Sequence, residues 1–539
     1  MARTSPTPVV RAARTVIGNL DEDRPASVDP AGRVHLEGAG WGLEWWIGAE
    51  DRWHLPADEP STRQKLIGSA PVVETRVRVP SGDAVHRAFA ARDASGSPVV
   101  VVEIENASKV PFAVALAVRP AGTGSIRQVS AEGTEVRVDG ALAVVAARAP
   151  GRRVAVTGAD ADLADIVLNG AAQPEAAVEA HCREGKAGAA LVFPLAHSAS
   201  LRVVLPMAGG TVDVDALPTA TQVASGWRTH AGRGARIDVP DRRLQEALDS
   251  NLCHLLLRPN SFAAAAALSR FGFAKEAAAT LLGDPTGMAL TTAPGEALLA
   301  LAAHWSLTHD EDFADAAVPL VATLVESLGR SGTPAELRLG AIATAGAAGI
   351  LASVGQARGA ADVRRAGAAM AKASTAPAPP SAPTGIEPIL QMLRTASPTW
   401  TWVGPHDGHA LEVGAALLVA VRGILVVEAP EPEKGLHLSP FVPESWYGQG
   451  WEVHDLPTAQ GRLSYAVRWH GDRPALLWDL EPWPASGPVR LSAPGLDPTW
   501  SSEQAKGEAL LEPVALPEPA PRKGLTIPVT IEPTPPKRP

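Results

Sequence analysis

The chain is poor in the residues that cross-link small proteins or coordinate zinc. Its 539 residues include only 2 cysteines, Cys182 and Cys253. Two thiols cannot form a disulfide framework, and alone they cannot hold zinc, so we expect both to be reduced and buried. Tyrosine is equally scarce, with 2 residues against 14 tryptophans, so indoles supply most of the chain's large aromatic surface.

An excess of positive charge is also missing. The net charge is −10 at pH 7 and the sequence pI is about 5.8, which argues against nucleic-acid binding because phosphate recognition needs a basic face. The chain has no Gly-Lys-Ser/Thr phosphate loop, no Gly-x-Ser-x-Gly elbow and no His-Glu-x-x-His motif. These absences disfavour nucleotide hydrolysis, serine hydrolase chemistry and zinc catalysis. We expect neither a cofactor nor a metal, and the sequence leaves the oligomeric state open.

No segment predicts a leader or a membrane anchor. The first residues, MARTSPTPVVRAARTVIGNL, lack a continuous apolar core. The segment LGAIATAGAAGILASVGQ, which begins at Leu339, carries no charge but is mostly alanine and glycine. Since such residues contribute little transfer energy, we expect a buried helix there and a cytoplasmic protein without membrane association.

Period-2 patterning dominates residues 20–235, which we predict to form an antiparallel β-sandwich after a flexible segment 1–19. VETRVRV places Thr75, Val77 and Val79 on one strand face. The runs PVVVVEIE and PFAVALAVRP are joined by a short turn beginning at Asn106, which predicts a hairpin.

The hydrophobic period becomes helical near Pro240. Leu244, Leu248, Leu252 and Leu255 follow at helical spacing after Asp241, a typical N-cap residue. Eight or nine short helices follow as pairs, each of which needs neighbours to bury its apolar face. We therefore predict a ring of α-hairpins over 240–430, a small β-domain over 434–512 and a Pro-rich disordered tail over 513–539.

The region after the last long helix carries the most specific pattern. It reads LHLSPFVPESWYGQGWEVHD, followed by a turn and the strand RLSYAVRW. The pattern rests on Leu436, Leu438, Pro440, Val442, Pro443, Trp446, Thr458, Gly461 and Leu463. It resembles the exit from the helical toroid into the C-terminal β-domain of six-hairpin glycosidases, and FGFAKEAAATLL is similar to a recurrent helix start in that superfamily.

This resemblance implies an α+β multidomain protein. Its parts would be an N-terminal antiparallel β-sandwich, a central α/α toroid and a small C-terminal β-sandwich. A complete ring has twelve helices, and residues 240–430 are too few for twelve, so we expect a reduced or open toroid. The implied function is carbohydrate processing, as an inverting glycoside hydrolase or a phosphorylase-like enzyme that acts on an oligosaccharide.

Inverting cleavage needs one carboxyl group to protonate the leaving oxygen and another to activate water. In toroid families both come from loops at one end of the ring. Asp407, in the loop PHDGH, and Glu296, at a helix N-terminus, are therefore the candidate acid and base, in an order that the sequence does not assign. The alternatives are a helix cap at Asp407 and an ordinary first-turn acid at Glu296.

The predicted sugar-binding residues surround Asp407. Tryptophan stacks on the apolar face of a pyranose, while histidine and carboxylate bind hydroxyl groups. The set is His406, His409, Trp400, Trp402, Glu412 and Trp446. The alternative reading places the tryptophans in hydrophobic cores and leaves the histidines solvated. A second cluster, WGLEWWIGAEDRWHLP, is either a sugar platform or filling between sandwich and toroid.

A different class of function fits the same architecture. The helical region is short, a Pro-rich stretch interrupts it, and a clear catalytic signature is missing. These features favour a non-catalytic scaffold that binds a glycan or a protein partner.

Overall fold

The computed structural model describes residues 13–20, 22, 24–158, 161–208, 212–283, 293–377, 385–404, 410–429, 435–484 and 487–516. The N-terminal domain contains the short helix α1 (Leu163–Leu168) and the following strands: β1 (Thr15–Ile17), β2 (Ala26–Val28), β3 (Val34–Leu36), β4 (Trp41–Gly48), β5 (Trp53–His54), β6 (Arg63–Leu66), β7 (Val73–Val79), β8 (Gly82–Arg92), β9 (Pro98–Ser108), β10 (Phe112–Pro120), β11 (Gln128–Glu132), β12 (Glu135–Val138), β13 (Ala141–Ala146), β14 (Arg152–Val156), β15 (Ala177–His181), β16 (Gly188–Leu195) and β17 (Ser200–Pro206).

These strands form two antiparallel sheets packed face to face. The first sheet has the order β1-β2-β3-β4-β10-β16-β14, with β5 paired to β4, and the second has the order β15-β11-β12-β13-β17-β9-β8-β7-β6. Aliphatic and aromatic side chains such as Val77, Ile104, Leu116 and Phe193 fill the space between the sheets. The predicted N-terminal antiparallel sandwich is confirmed.

The structure differs from the sequence-based prediction at the N-terminal edge. Residues 1–19 were expected to be flexible throughout, but β1 pairs with β2 from Thr15↔Val28 to Ile17↔Ala26. Thr15 and Ile17 are fully buried, and the Thr15 hydroxyl lies 2.7 Å from the Thr399 hydroxyl. Pairing with a neighbouring strand and contact with a distant loop therefore order this segment.

The predicted hairpin at Asn106 is wrong. Strand β9 pairs with β8 and β17 in the second sheet, while β10 pairs with β4 and β16 in the first. The Asn106 side chain donates to Val110 O and Leu195 O and accepts from the backbone N–H of Ser108. These bonds fix a corner at which the chain crosses from one sheet to the other, and hydrophobic periodicity does not distinguish a corner from a hairpin.

The helices after the sandwich are α2 (Ala220–Ala231), α3 (Arg242–Leu257), α4 (Phe262–Arg270), α5 (Ala274–Leu282), α6 (Pro294–Thr308), α7 (Glu311–Ser331), α8 (Pro334–Ser353), α9 (Ala357–Ala373), α10 (Glu387–Thr395) and α11 (Leu411–Leu425). Asp241 caps α3, as predicted, since its carboxylate accepts from Leu244 N at 3.0 Å. Helix α2 lies inside 20–235, the span predicted to be β throughout. Its Thr219–Gln222 capping box explains why it forms.

Four of these helices share one direction and form the inner layer. Helix α4 packs between α11 and α6, and α6 packs against α8. The Gly295 amide at the start of α6 donates to Glu336 in the first turn of α8, and the charges of Arg270 and Arg422 interact in the last turns of α4 and α11. The common start of α4, α6, α8 and α11 is called the rim below, and the opposite end is called the base.

The inner layer forms an arc. Helix α8 packs on α6, α7 and α9, and α9 packs mainly on α8. Among the described helices, neither packs extensively on α10, α11 or α3. Among the described residues, the arc thus has no extensive contact between α8–α9 and α10–α11. The predicted central α/α domain between two β-domains is confirmed, and the completeness of its ring stays an open prediction.

The C-terminal domain packs against the base. Its strands are β18 (Arg236–Asp238), β19 (Val426–Glu428), β20 (Gly435–Leu438), β21 (Trp451–Thr458), β22 (Gly461–His470), β23 (Arg473–Pro482), β24 (Arg490–Ala493), β25 (Asp497–Ser502) and β26 (Lys506–Leu510), in sheets ordered β18-β21-β22-β23-β26 and β19-β20-β24-β25. The buried Tyr465 hydroxyl donates to Leu425 O at the end of α11, and His309 after α6 packs on Trp483 with ring centres 5.2 Å apart. The predicted C-terminal β-domain is confirmed.

Helix α8 is long and apolar enough to span a membrane by length and composition, with a mean hydropathy of 1.3 over its best window. In the structure it packs against α6, α7 and α9. Its inward residues include Ala343, Ala347 and Ile350, all of which are buried. These residues give α8 one buried face, and 39% of its most apolar window is buried in the structure.

Alanine and glycine allow the helices to approach closely. A Cβ on Gly414 of α11 would lie 2.4 Å from Asn251 Oδ1 of α3, which is closer than real Cβ contacts. We expect Gly414→Ala to destabilise the helical domain by roughly 1–3 kcal/mol, because overpacking forces side chains or backbone to shift. Chemical unfolding followed by helical circular dichroism measures this change.

Gly226→Ala is the matched control. Gly226 is exposed within α2, and a Cβ there would meet nothing within 4 Å, so the substitution should stabilise by about 0.5–1 kcal/mol through helix propensity. Equal stability of the two variants would contradict the close-packing interpretation.

Asp249 on α3 is mostly buried, and burial raises the pKa of its carboxyl group from 3.8 to about 6. Above pH 6 the charged Asp249 carboxylate therefore destabilises the folded state. This destabilisation is lost as the pH falls from 6 towards 4, because the carboxyl group becomes protonated in the fold. We expect Asp249→Asn to stabilise the protein at pH 7.5 by about 1–3 kcal/mol and to have no effect near pH 4. Unfolding measured across this pH range tests it.

The Asn variant keeps the bond to Gln245, whose side-chain amide donates to Asp249 Oδ1 at 3.0 Å. Asp362→Asn, at an exposed carboxylate on α9, is the control and should change stability little at either pH. If Asp249→Asn changed the free energy of unfolding by the same amount at pH 4 and pH 7.5, the charge of Asp249 would not destabilise the folded state.

Candidate functional site

Three of the predicted site residues, His406, Asp407 and His409, lie in the segment 405–409, outside the described residues. This segment immediately precedes α11, which begins at the rim. The catalytic role of Asp407 and the sugar-binding roles of the two histidines stay predictions.

Glu296 and Glu412 occupy the first turns of α6 and α11, and both are exposed. Helix α4 packs between these two helices, so both carboxylates lie at the rim on either side of the start of α4. The structure thus brings Glu296 and Glu412 to the same end of the arc. Their proposed chemistry stays a prediction.

The three predicted sugar-binding tryptophans lie in different surroundings. The indole N–H of buried Trp402 donates to Met392 O at 3.1 Å and lies 3.2 Å from Thr395 Oγ1, which ties the loop to α10. The Arg243 guanidinium lies 5.8 Å from the ring centre of Trp400. Trp446 is buried in the C-terminal domain, against Trp451 at a ring separation of 5.7 Å. The structure therefore does not bring Trp446 to the rim.

The rim meets the N-terminal sandwich along a seam that contains a cavity of about 690 Å³. Its wall is formed by the segment after β1, the ends of α2 and α3, the α3–α4 loop and α5. The lining residues are Leu20, Glu22, His230, Arg233, Leu256, Leu257, Arg258, Pro259, Asn260, Glu276, Ala279 and Thr280. We call this space, together with the neighbouring cavity described below, the seam cleft.

Glu276 is the carboxylate on the helical side of the seam cleft. Its Oε1 lies 3.5 Å from Arg233 Nη2 and 3.8 Å from His230 Nε2. Arg233 Nη1 lies 3.0 Å from His230 Nδ1; because guanidinium can only donate, Nδ1 accepts this bond and the proton of a neutral ring lies on Nε2, towards Glu276. The three side chains form one polar cluster on this wall of the cavity.

Glu22 is the carboxylate on the sandwich side. Its Oε2 is buried and has no hydrogen-bond partner among the described residues. A buried polar atom without a partner is uncommon in folded proteins and indicates that something else satisfies it, such as water or a ligand. Arg258 also links the two sides, because its guanidinium lies 3.3 Å from Glu37 Oε2.

Glu22 also lines a second cavity, of about 800 Å³, along the sandwich edge. This cavity is bounded by Arg24, Glu37, Arg137 and Met207, and by the indole of Trp41. The two cavities meet at Glu22, so the seam cleft is long enough to take an extended ligand. An elongated cleft with polar groups on both sides and an aromatic wall suits a chain of sugar units.

Sequence reasoning did not find this site. Glu22, His230 and Glu276 come from three separate segments, and no catalytic motif marks any of them. Glu276 stands in the phrase FGFAKEAAATLL, whose resemblance was used only to identify the fold. Only the docking of the sandwich on the rim brings the three together.

One group of side chains in the described residues has metal-ligand spacing: Asp238, Glu452 and His454. Their charges are already compensated, because Arg236 lies 3.0 Å from Asp238 and Arg468 contacts Glu452. His454 Nε2 lies 2.8 Å from Glu452 Oε2. Ion pairing therefore accounts for this group without a metal.

No family model and no curated protein matches the chain. Solved structures similar to it include the following three. A bacterial glucoamylase complexed with acarbose shares 8% identity and a TM-score of 0.49 over 67% of each chain. A protein from the human microbiome, provisionally assigned as a kojibiose phosphorylase, shares 8% identity and a TM-score of 0.43 over 94% of this chain and 90% of its own. A GH78 family rhamnosidase of a Bacillus species shares 10% identity and a TM-score of 0.36 over 71% of this chain and 53% of its own.

With identities of 8–10% and TM-scores below 0.5, these similarities carry no argument about the reaction, which has to be argued from the chain's own residues.

Proposed function

We propose that this protein takes an oligosaccharide into the seam cleft and cleaves it as an inverting glycoside hydrolase or by phosphorolysis. The observation that carries the proposal is the pair of carboxylates supplied by different domains, Glu22 from the sandwich and Glu276 from the arc. Glu22 retains a buried oxygen without a partner, which a sugar hydroxyl or a glycosidic oxygen can satisfy.

In the hydrolytic form, Glu22 donates a proton to the leaving glycosidic oxygen while the bond to the anomeric carbon breaks. Glu276, beside Arg233 and His230, takes a proton from the water that bonds to the opposite face of that carbon. Inverting enzymes place these carboxyl groups roughly 6.5–9.5 Å apart to admit the water. We assign the base role to Glu276 because its Oε1 lies within 4 Å of both Arg233 and His230.

In the phosphorolytic form, inorganic phosphate replaces water as the nucleophile and no base is needed. The guanidinium groups of Arg233 and Arg258 supply donors that match phosphate oxygens. Both already pair with carboxylates, at 3.5 Å to Glu276 and 3.3 Å to Glu37. Phosphate would have to compete with these carboxylates, which is why hydrolysis is the form that the seam cleft supports better.

A non-catalytic scaffold is the second candidate. The open arc favours it, because among the described helices nothing closes the space between α8–α9 and α10–α11. Such a protein would bind the oligosaccharide in the seam cleft without turning it over.

Glu22→Gln and Glu276→Gln test the proposal. We expect each to lower turnover of oligosaccharides about 10²–10⁴-fold, because each removes a group that transfers a proton. Amide and carboxyl have the same shape, so binding should persist. The assay follows released reducing sugar over a panel of α- and β-linked gluco-, manno- and rhamno-oligosaccharides, with and without inorganic phosphate.

Glu326→Gln, at an exposed ion pair on α7, is the control and should leave turnover unchanged. If both cleft variants kept their turnover while Glu296→Gln and Asp407→Asn lost it, the reaction would be assigned to the predicted residues Glu296 and Asp407 and not to the seam cleft. If the wild type bound a sugar of the panel without turning it over, and the cleft substitutions weakened that binding, the protein would be a non-catalytic scaffold.

A further inference from the structure

A second recess lies on the outer face of the first sheet, which points away from the sandwich core. Residues of β4, β10, β16 and β14 alternate between the two faces. The outward row Glu44↔Ala117↔Ala190↔Val154 runs across all four strands, and the next row begins Gly42↔Arg119. Small residues between charged ones leave a shallow floor that side chains do not fill.

Helix α1 and the loop after β5 border this floor on opposite sides. Helix α1 buries Leu163 and Val167 against Val154 and Val156. The loop after β5 lays Leu55 over Trp46. Between the helix and the loop lie two cavities, of about 660 Å³ and 270 Å³, that share Arg33, Glu44 and Arg119 as lining residues. Together they form one open channel, which we call the sandwich groove.

A chain of alternating charges crosses the sandwich groove. Arg33 Nη1 lies 2.9 Å from Glu44 Oε1, and Arg119 lies 3.7 Å from Glu44 and 3.5 Å from Asp162. Arg33 is held in place, because its Nη2 also donates to Pro120 O at 2.8 Å. The Trp46 indole N–H donates to Glu44 Oε2 at 3.3 Å. The framework of the groove is thus preorganised from both sides.

Two features show that this framework is not saturated by its own contacts. The separations from Arg119 to both carboxylates are longer than good charge-assisted hydrogen bonds. The Nε atom of Arg33 is buried and has no hydrogen-bond partner in the structure. Donors and acceptors therefore remain available to a ligand that enters the groove.

We propose that the sandwich groove binds a neutral saccharide at a site separate from the seam cleft. No described residue lines both. The charged lining consists of the carboxylates Asp29, Glu44, Asp58, Asp162 and Asp165 against the cations Arg33, Arg119 and Lys186. This excess of carboxylate repels phosphates and acidic glycans, while alternating donors and acceptors match the vicinal hydroxyl groups of a neutral sugar.

The apolar part of the lining agrees with this ligand. Leu55, Pro56 and Trp46 form one wall, and Val156 and Leu163 form the other. A pyranose presents C–H faces as well as hydroxyl edges, so it can contact such walls while its hydroxyl groups reach the charged floor. The combined volume lies in the range of small-molecule sites.

The test is calorimetric titration of the full chain with neutral hexasaccharides: malto-, cello-, laminari-, manno-, xylo- and chitohexaose. We expect at least one to bind, and Glu44→Gln and Asp162→Asn to weaken it about tenfold or more through loss of a charge-assisted hydrogen bond. Asp162 caps α1 by accepting from Ala164 N at 2.8 Å. Because asparagine caps equally well, Asp162→Asn should keep the fold intact.

Glu179→Gln, at an exposed pair on β15, is the surface control, and Glu276→Gln is the control for the seam cleft; neither should weaken binding in the groove. Hydrogen exchange locates the ligand, because groove binding should protect 161–168 more than 256–283. Binding that protects 256–283 but not 161–168, and that Glu44→Gln and Asp162→Asn leave unchanged, would overturn the groove and leave the proposed function standing. Failure of all six sugars to bind would overturn the groove and count against the seam cleft as well.

Discussion

The close approach of helix backbones is the constraint on which the arc depends. Gly414 on α11 faces Asn251 on α3, and Gly367 on α9 faces Thr344 on α8 at distances that exclude any side chain. Small residues bury little apolar area each, so no single helix here is stable alone, and every helix needs a neighbour on two sides.

The seam cleft follows from how the sandwich meets this rim. Edge strand β1 and the segment after it reach the end of α3, where Thr15 contacts Thr399 and Arg258 pairs with Glu37. The surfaces of the sandwich and of the helical domain do not match everywhere, and a cavity remains where loops from both domains end. Each body supplies charged side chains to that space. In a site built in this way, the proposed catalytic groups face each other only when the domains are docked, so its geometry depends on the interface.

The sequence predicts what depends on local physics. Helical spacing from Leu244 and the Asp241 cap identify α3, and alternation in VETRVRV identifies β7. It does not predict what depends on contacts between distant segments. Asn106 turns the chain between sheets rather than within one, β1 is ordered by pairing with β2 and by Thr399, and Glu22 approaches Glu276 only through domain docking. The tryptophan-rich segment shows the same limit, because Trp45 enters the sandwich core and Trp46 faces outward, a division set by strand register.

The ion pairs in both recesses have a common interpretation. Partly buried charge pairs contribute little net stability, because desolvation of the two ions offsets their attraction. The chain from Arg33 through Glu44 to Arg119 is therefore hard to explain as a stabilising device, especially as its outer separations reach 3.7 Å. Packing alone would be better served by apolar residues in the row that already contains Ala117, Ala190 and Val154. The same reasoning applies to Glu22, whose buried oxygen without a partner has a cost in the unliganded protein. In both recesses the charges are thus better explained by the binding of polar ligands than by stabilisation of the fold.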